Sequence, residues 1–221
     1  MIKLSCDADY KKGIAFDIET AGDDERLFLL EHRIKPKSIN SKEDLEKKWE
    51  SAKAEMALYP AESRVIMVSF CGFDGKPTVM HIDQYDGNEG DLLYAAFEKL
   101  KEYEFYITYN GMSFDVPFLK YRAMINGLHS EFPNISLKRY YMENHIDVRM
   151  LLNNWDTYKK GTLDYHARSI LGPDVGKVEK DGKSVLELYY TEATRDKSLM
   201  YSAMDAKLTW DIFLHMVGIY I

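Results

Sequence analysis

The run Gly13-Ile14-Ala15-Phe16-Asp17-Ile18-Glu19-Thr20 is apolar until it places two carboxylates and a hydroxyl at its end. Residues 13 to 18 read as a buried β-strand. Alternate side chains of a strand share a face, so Asp17 and Glu19 point the same way, about 7 Å apart. Like charges on one face repel and raise a pKa unless a cation lies between them. Hard divalent ions such as Mg²⁺ or Mn²⁺ suit carboxylate oxygens. A solvated sheet edge or the start of a turn accommodates the same pair, so the pair alone leaves both readings open.

The surrounding pattern predicts an α/β fold. Arg64 to Cys71 reads as a second strand, and Gly72-Phe-Asp-Gly75 as a hairpin turn into a third, Thr78 to Ile82. This order implies at least one antiparallel pair. Between the first two strands lies a charged insertion, from Ala21 to about Ala61. Within it Leu45, Trp49, Ala52 and Met56 form one apolar stripe on a helix expected to pack on the sheet or cover its edge, with a mobile lid or a partner-binding helix as the alternative. Ser41 and Asp44 resemble a capping box at its start. Beyond Gly87 the chain alternates: a helix through Leu92, Leu93, Ala96, Phe97 and Leu100, a strand from Phe105 to Tyr109, and a helix from Val116 stopped by Asn126-Gly127. A short strand ends at His145-Ile146-Asp147. Helices are then predicted over Arg149–Asn154, Thr162–Leu171, Ser184–Thr191 and about Lys197–Gly218. Strands with crossover helices give a mixed sheet with helices on both faces. The expectation is one domain over residues 1–221, with a helical insertion at about 21–61.

Composition bounds the function. With 46% hydrophobic and 29% charged residues the chain is of globular type. It contains no apolar run near the roughly 20 residues needed to span a bilayer. The first residues do not form a secretory signal, which points to a cytoplasmic protein, cellular or phage-made. Cys6 and Cys71 stand alone and read as reduced and structural. The net charge of −7 argues against coating nucleic acid by bulk positive charge. It does not exclude a nucleic-acid enzyme whose acidic site is neutralised by bound ions.

Two further constellations change the weight of the opening pair. Asn110-Gly-Met-Ser-Phe114-Asp115 follows a predicted strand and puts Asp115 in the first turn of a helix. Tyr201-Ser-Ala-Met-Asp205 sets a phenol and a carboxylate on one helix face. Phe16-Asp17-Ile18-Glu19-Thr20, Asn110-x-x-x-Phe114-Asp115 and Tyr201-x-x-x-Asp205 resemble, in order and approximate spacing, the three exonuclease motifs of the DEDD (DnaQ-like) superfamily. The chain is most similar to the proofreading domain of family B DNA polymerases, in the Tyr-containing subtype. The His-containing subtype would need a His five residues before the last Asp, and Met200 stands there. The similarity runs from about Gly13 to Tyr220 and includes Gly161 to Gly172, but not the insertion.

The resemblance implies a ribonuclease H-like fold, a five-stranded mixed sheet with one antiparallel strand. It implies that Asp17, Glu19, Asp115 and Asp205 hold two divalent ions, Mg²⁺ or Mn²⁺, with Asp17 bridging them. Such a pair stabilises the attacking and leaving oxygens of an in-line phosphoryl displacement, while Tyr201 orients or helps deprotonate the attacking water. Thr20, Asn110 and Phe114 would contact the 3′-terminal nucleotide. The expected activity is 3′→5′ exonucleolytic release of 5′-mononucleotides, from single-stranded DNA first, with RNA the alternative substrate and a non-catalytic nucleic-acid-binding scaffold the alternative class. A chain this long has room for the nuclease and its insertion, so a stand-alone enzyme is expected, with a separate polymerase or repair protein as partner.

Outside the motifs, Asp147 reads as the cap of the following helix, with a supporting role at the site as the alternative. His145 and His166 read as structural. Lys138-Arg139-Tyr140-Tyr141 reads as a solvated hairpin or, alternatively, a single-strand contact. The loop Gly172-Pro-Asp-Val-Gly-Lys177, continuing through Lys180 and Lys183, reads as flexible, with phosphate positioning as its alternative role.

Overall fold

The structure, a computed structural model, describes residues 10–34, 41–159, 161–175 and 185–219. Cys6, Ser184, Lys177, Lys180 and Lys183 lie outside the described residues. Strands β1 (Gly13–Gly22), β2 (Ser63–Gly72), β3 (Thr78–His81), β4 (Phe105–Thr108) and β5 (His145–Asp147) form one sheet in the order β3-β2-β1-β4-β5. β2 is antiparallel to both β1 and β3, and β4 and β5 run parallel to β1. The expected mixed sheet of five strands, one of them reversed, is what forms.

Strand β1 runs further than its apolar pattern suggests. Pairing with β2 continues past the carboxylates to Ala21↔Arg64 and Gly22↔Ser63. The partner register jumps from Met67 to Val65 between Glu19 and Thr20, leaving Ile66 as an extra residue. Such a bulge bends and twists a strand locally, here directly beside the second carboxylate.

Helices cover both faces. Ile14, Phe16 and Ile18 face an apolar layer with α3 (Glu89–Lys101) and α4 (Asp115–Ile125). The alternate residue Ala15 joins a second layer with α5 (Val148–Leu152), α6 (Leu163–Leu171) and α8 (Arg195–Met216). Asp17 and Glu19 continue the Ala15 face, so the strand's period of two aims them toward the layer that contains α8. Between the layers' edges, buried Glu89 accepts from the Val65 amide (2.7 Å), Arg122 Nε (2.9 Å) and Asn126 Nδ2 (3.0 Å). Arg122 also donates to Pro60 O (2.9 Å), tying α3, α4 and the end of the insertion to β2.

The insertion contains a 3₁₀ stretch at Asp24–Leu29, α1 (Leu30–Arg33) and α2 (Lys42–Ala54). Ser41 Oγ caps the Asp44 amide (3.1 Å), while Asp44 pairs with Lys48 (3.1 Å). The helix ends before Met56, which falls in a 3₁₀ turn at Met56–Leu58, and the stripe packs chiefly on its own neighbours: Ala52 and Met56 are buried with Leu30, whereas Leu45 is 39% exposed. Met56 bridges this satellite core to β1 by packing against Gly22. Helix α7 (Val185–Tyr190) leads into α8. No helix among the described residues is long and apolar enough to cross a membrane.

Candidate active site

Asp17 and Glu19 come from β1 and Asp205 from the middle of α8. One carboxylate oxygen from each lies within 4.8 Å of the other two. Asp17 on a sheet strand and Asp205 on a helix, 188 residues apart in sequence, thus help bring three acidic groups together. Asp17 and Glu19 are half-buried and Asp205 is buried, so water screens their repulsion poorly. The donors are all oxygens, the set that Mg²⁺ and Mn²⁺ take.

Asp115 stands one shell back. As the first residue of α4 it is 3% exposed, and its Oδ1 accepts from the Ile18 amide at 3.1 Å. Burial, with the charges of Asp147 and Asp205, pushes its carboxyl up to about 7. Most of the shift comes from loss of water around the carboxylate, with the neighbouring negative charges adding a smaller part.

A cavity of about 290 Å³ opens over the carboxylates, lined by Asp17, Asp205, Tyr109, Asn110, Arg149, Gly161 and Leu163. Asn110 takes a left-handed backbone, φ 69°, a conformation Asn tolerates better than most residues. Its Oδ1 accepts from Arg149 at 2.6 Å. Gly111 has no room for a side chain, since a Cβ there would come within 2.3 Å of Thr108 Oγ1.

Asp147 builds this corner. It caps α5 as expected, accepting from the Met150 amide (3.2 Å). It also accepts from the amides of Asn110 (3.0 Å) and Met112 (3.0 Å), so one carboxylate fixes both the motif loop and the helix that bears Arg149. Burial raises its pKa and the amides pull it back. Spacing gives no sign of the loop contacts, and it marks Arg149 only as the start of a helix. A charge two residues after a strand-end Asp is the one signal that was available.

The remaining predicted residues are placed around the site. Thr20 Oγ1 donates to Ala57 O (2.6 Å), anchoring the insertion beside Glu19. Phe114, at the N-cap of α4, packs on Phe118 with ring centroids 5.3 Å apart. Tyr201, one turn before Asp205, is 4% exposed and joins Val185 and Tyr189 in the apolar layer. The histidines bind protein rather than the carboxylates: His145 contacts Thr108 Oγ1 (2.8 Å) and Ser136 O (3.0 Å), and burial lowers its pKa to about 4. His166 packs against Tyr109, and burial lowers its pKa too. Cys71 is a buried free thiol, pushed up to about 12 by burial.

The chain is similar to known proteins over most of its length. The chain is 29% identical over 172 residues to a DNA polymerase of Methanocaldococcus jannaschii, an alignment covering 69% of this chain and 10% of that one. It is 27% identical over 166 residues to DNA polymerase 1 of Aeropyrum pernix, covering 68% of this chain and 16% of that one. This chain therefore spans a small fraction of the length of the relatives it matches. The family B DNA polymerase of Pyrobaculum calidifontis superposes with a TM-score of 0.59 at 18% identity, over 93% of this chain and 24% of that one. The ribonuclease H-like fold is thus shared. Residues 58–220 match the family described as predicted 3′-5′ exonuclease related to the exonuclease domain of PolB, a match that begins beyond β1. The chain belongs to this family of 3′-5′ exonucleases.

Proposed function

We propose that the chain is a metal-dependent 3′→5′ exonuclease that removes 5′-mononucleotides from the 3′ end of single-stranded DNA. The convergence of Asp17, Glu19 and Asp205 within 4.8 Å, facing a cavity shared with Asn110 and Arg149, carries this reading. These three carboxylates would hold divalent ions, Mg²⁺ or Mn²⁺. Asp115 would contribute through the oxygen that Ile18 does not engage. When bound, two such ions stabilise charge on the attacking and leaving oxygens of an in-line phosphoryl displacement.

The protein's own groups do the rest. Arg149 is the cation on the cavity wall, and its guanidinium would pair with a phosphate of the incoming strand. Asn110 holds Arg149 and lies where the terminal nucleotide enters. Phe114 offers an aromatic face beside it, and Thr20 fixes the wall next to Glu19. Tyr201, on the same helix face as Asp205, would orient the attacking water through its hydroxyl.

The test is to incubate 5′-labelled single-stranded DNA and RNA, with free and blocked 3′ ends, in Mg²⁺, Mn²⁺ or chelator. A shortening ladder from free 3′ DNA ends that disappears with chelator is expected. No ladder on either polymer from folded protein refutes the enzyme reading, and a ladder on RNA alone moves the substrate to RNA. Tyr201→Phe should slow cleavage without weakening metal binding; an unchanged rate would assign the ring to packing.

A further inference from the structure

Two rings beside the motif loop are held in conformations that their backbones resist. Tyr140 and Trp155 pack with centroids 5.2 Å apart at 49°. Both have positive φ, 63° and 62°, and Asn154 follows suit at 51°. Bulky L-residues avoid this region because Cβ crowds the backbone. Trp155 is kept there by a backbone hydrogen bond to Met150 O (2.7 Å). Burial does not explain Tyr140, which is 73% exposed. It presents an aromatic face to water with an indole beside it.

The pair borders a cleft with Met112, Ser113, Arg139, Met150 and Thr157. Met112 lies two residues beyond Asn110 and Met150 one beyond Arg149, both of which line the carboxylate cavity. Asp147 binds the amides of Asn110, Met112 and Met150, so cleft and cavity share one hydrogen-bonded frame. Arg139 on the cleft is an exposed cation in a chain of net charge −7, and Thr157 on its wall is followed in sequence by exposed Tyr158 and Lys159. Exposed rings interleaved with cations suit unpaired nucleotides, because every base has a face to stack whatever its identity. A duplex keeps those faces covered.

We propose that Tyr140 and Trp155 form a base-stacking platform for the unpaired nucleotides behind the 3′ end of a single-stranded polynucleotide, with Arg139 meeting their phosphates. The direction of the strand rests on the exonuclease reading; the stacking does not. The strained turns set the rings in place before the strand arrives, which lowers the ordering cost of binding.

The experiment measures binding of fluorescent oligothymidylates of one to ten nucleotides, in chelator, to the wild type and to Tyr140→Ala and Tyr140→Phe, with melting curves as a fold control. Tyr140→Ala should weaken the ten-nucleotide strand by about tenfold and leave thymidine 5′-monophosphate, too short to reach the rings, bound as before. Tyr140→Phe should retain the wild-type affinity. Equal affinities of Tyr140→Ala and wild type overturn the platform, as does equal loss for the mononucleotide or equal binding of a blunt duplex. A wild-type cleavage ladder with Tyr140→Ala binding unchanged refutes the platform alone. Absence of any ladder with Tyr140-dependent binding refutes the exonuclease reading alone.

Discussion

Glu89 and Arg122 meet inside the molecule with each charge answered by its partner and by the Val65 amide, Asn126 and Pro60 O. Asp17, Glu19 and Asp205 meet at the edge of a cavity, half-buried to buried, as three acidic groups of one sign. Both arrangements use charged residues where apolar ones are the rule. The first is closed within the chain, and removing either partner strands a buried charge. On the proposed reading the second would be neutralised by ions from outside, so its repulsion in the bare protein would be the counterpart of its function. Stability is expected to concentrate where opposite charges meet, and chemistry where like charges gather.

The largest expected effect separates the two. Asp17→Asn should lower cleavage by roughly a thousandfold or more, measured as single-turnover rates. Its melting temperature in chelator should not fall, because a repulsive charge has gone. A large loss of stability would place Asp17 with the structural pair. Arg122→Ala should do the reverse, costing about 3–5 kcal/mol in denaturant unfolding. The Glu89→Gln/Arg122→Met double variant should cost less than Arg122→Ala alone, and additive losses would contradict the closed-pair account.

Acid sharpens the contrast through His145, a buried group kept neutral rather than paired. Its pKa is near 4 in the folded chain and 6.5 when unfolded. The unfolded state therefore gains a proton first as pH drops, so the stability from His145 is complete above 6.5 and lost on the way down to 4. That is about 3 kcal/mol, visible as an acid slope that His145→Asn should flatten. Asp115 runs oppositely: its raised pKa means that the bare protein sheds a charge penalty as pH falls through about 7 toward the ordinary carboxylate range. Divalent-ion affinity should fall over the same interval. At neutral pH, saturating Mg²⁺ or Mn²⁺ should add about 2.7 kcal/mol at a hundred times its Kd, and Asp17→Asn should abolish the gain. The smallest effect belongs to the cavity's cation: Arg149→Ala should raise KM for single-stranded DNA about tenfold and lessen its salt dependence, with Arg149→Lys intermediate.

The fold was largely legible because apolar periodicity is local. The five strands and the main helices fall where alternation and 3.6-residue spacing put them, whereas the extension of β1 to Gly22, whose pairing β2 supplies, and the short helical turns over Asp24–Arg33 were not foreseen. The insertion helix was legible as a helix but not in its packing: α1, not the sheet, receives most of its stripe. Three of the four motif carboxylates converge closely, while the fourth, Asp115, is held by the Ile18 amide. For Asp147 and for Lys138–Tyr141 the sequence offered the site role only as an alternative, while the place of Arg149 on the cavity wall and the pairing of Tyr140 with Trp155 were illegible, because each depends on contacts between separate segments of the chain.

By itself the sequence determined that Asp17 and Glu19 share a face and that Asp205 and Tyr201 share another, since both follow from the fixed periods of strand and helix. Tertiary structure alone decided that those faces meet. The approach of α8 to β1 depends on how Ala15, Cys71, Ala206 and the larger side chains around them pack in one layer. No spacing rule encodes that packing, and it turns separate carboxylates into one site.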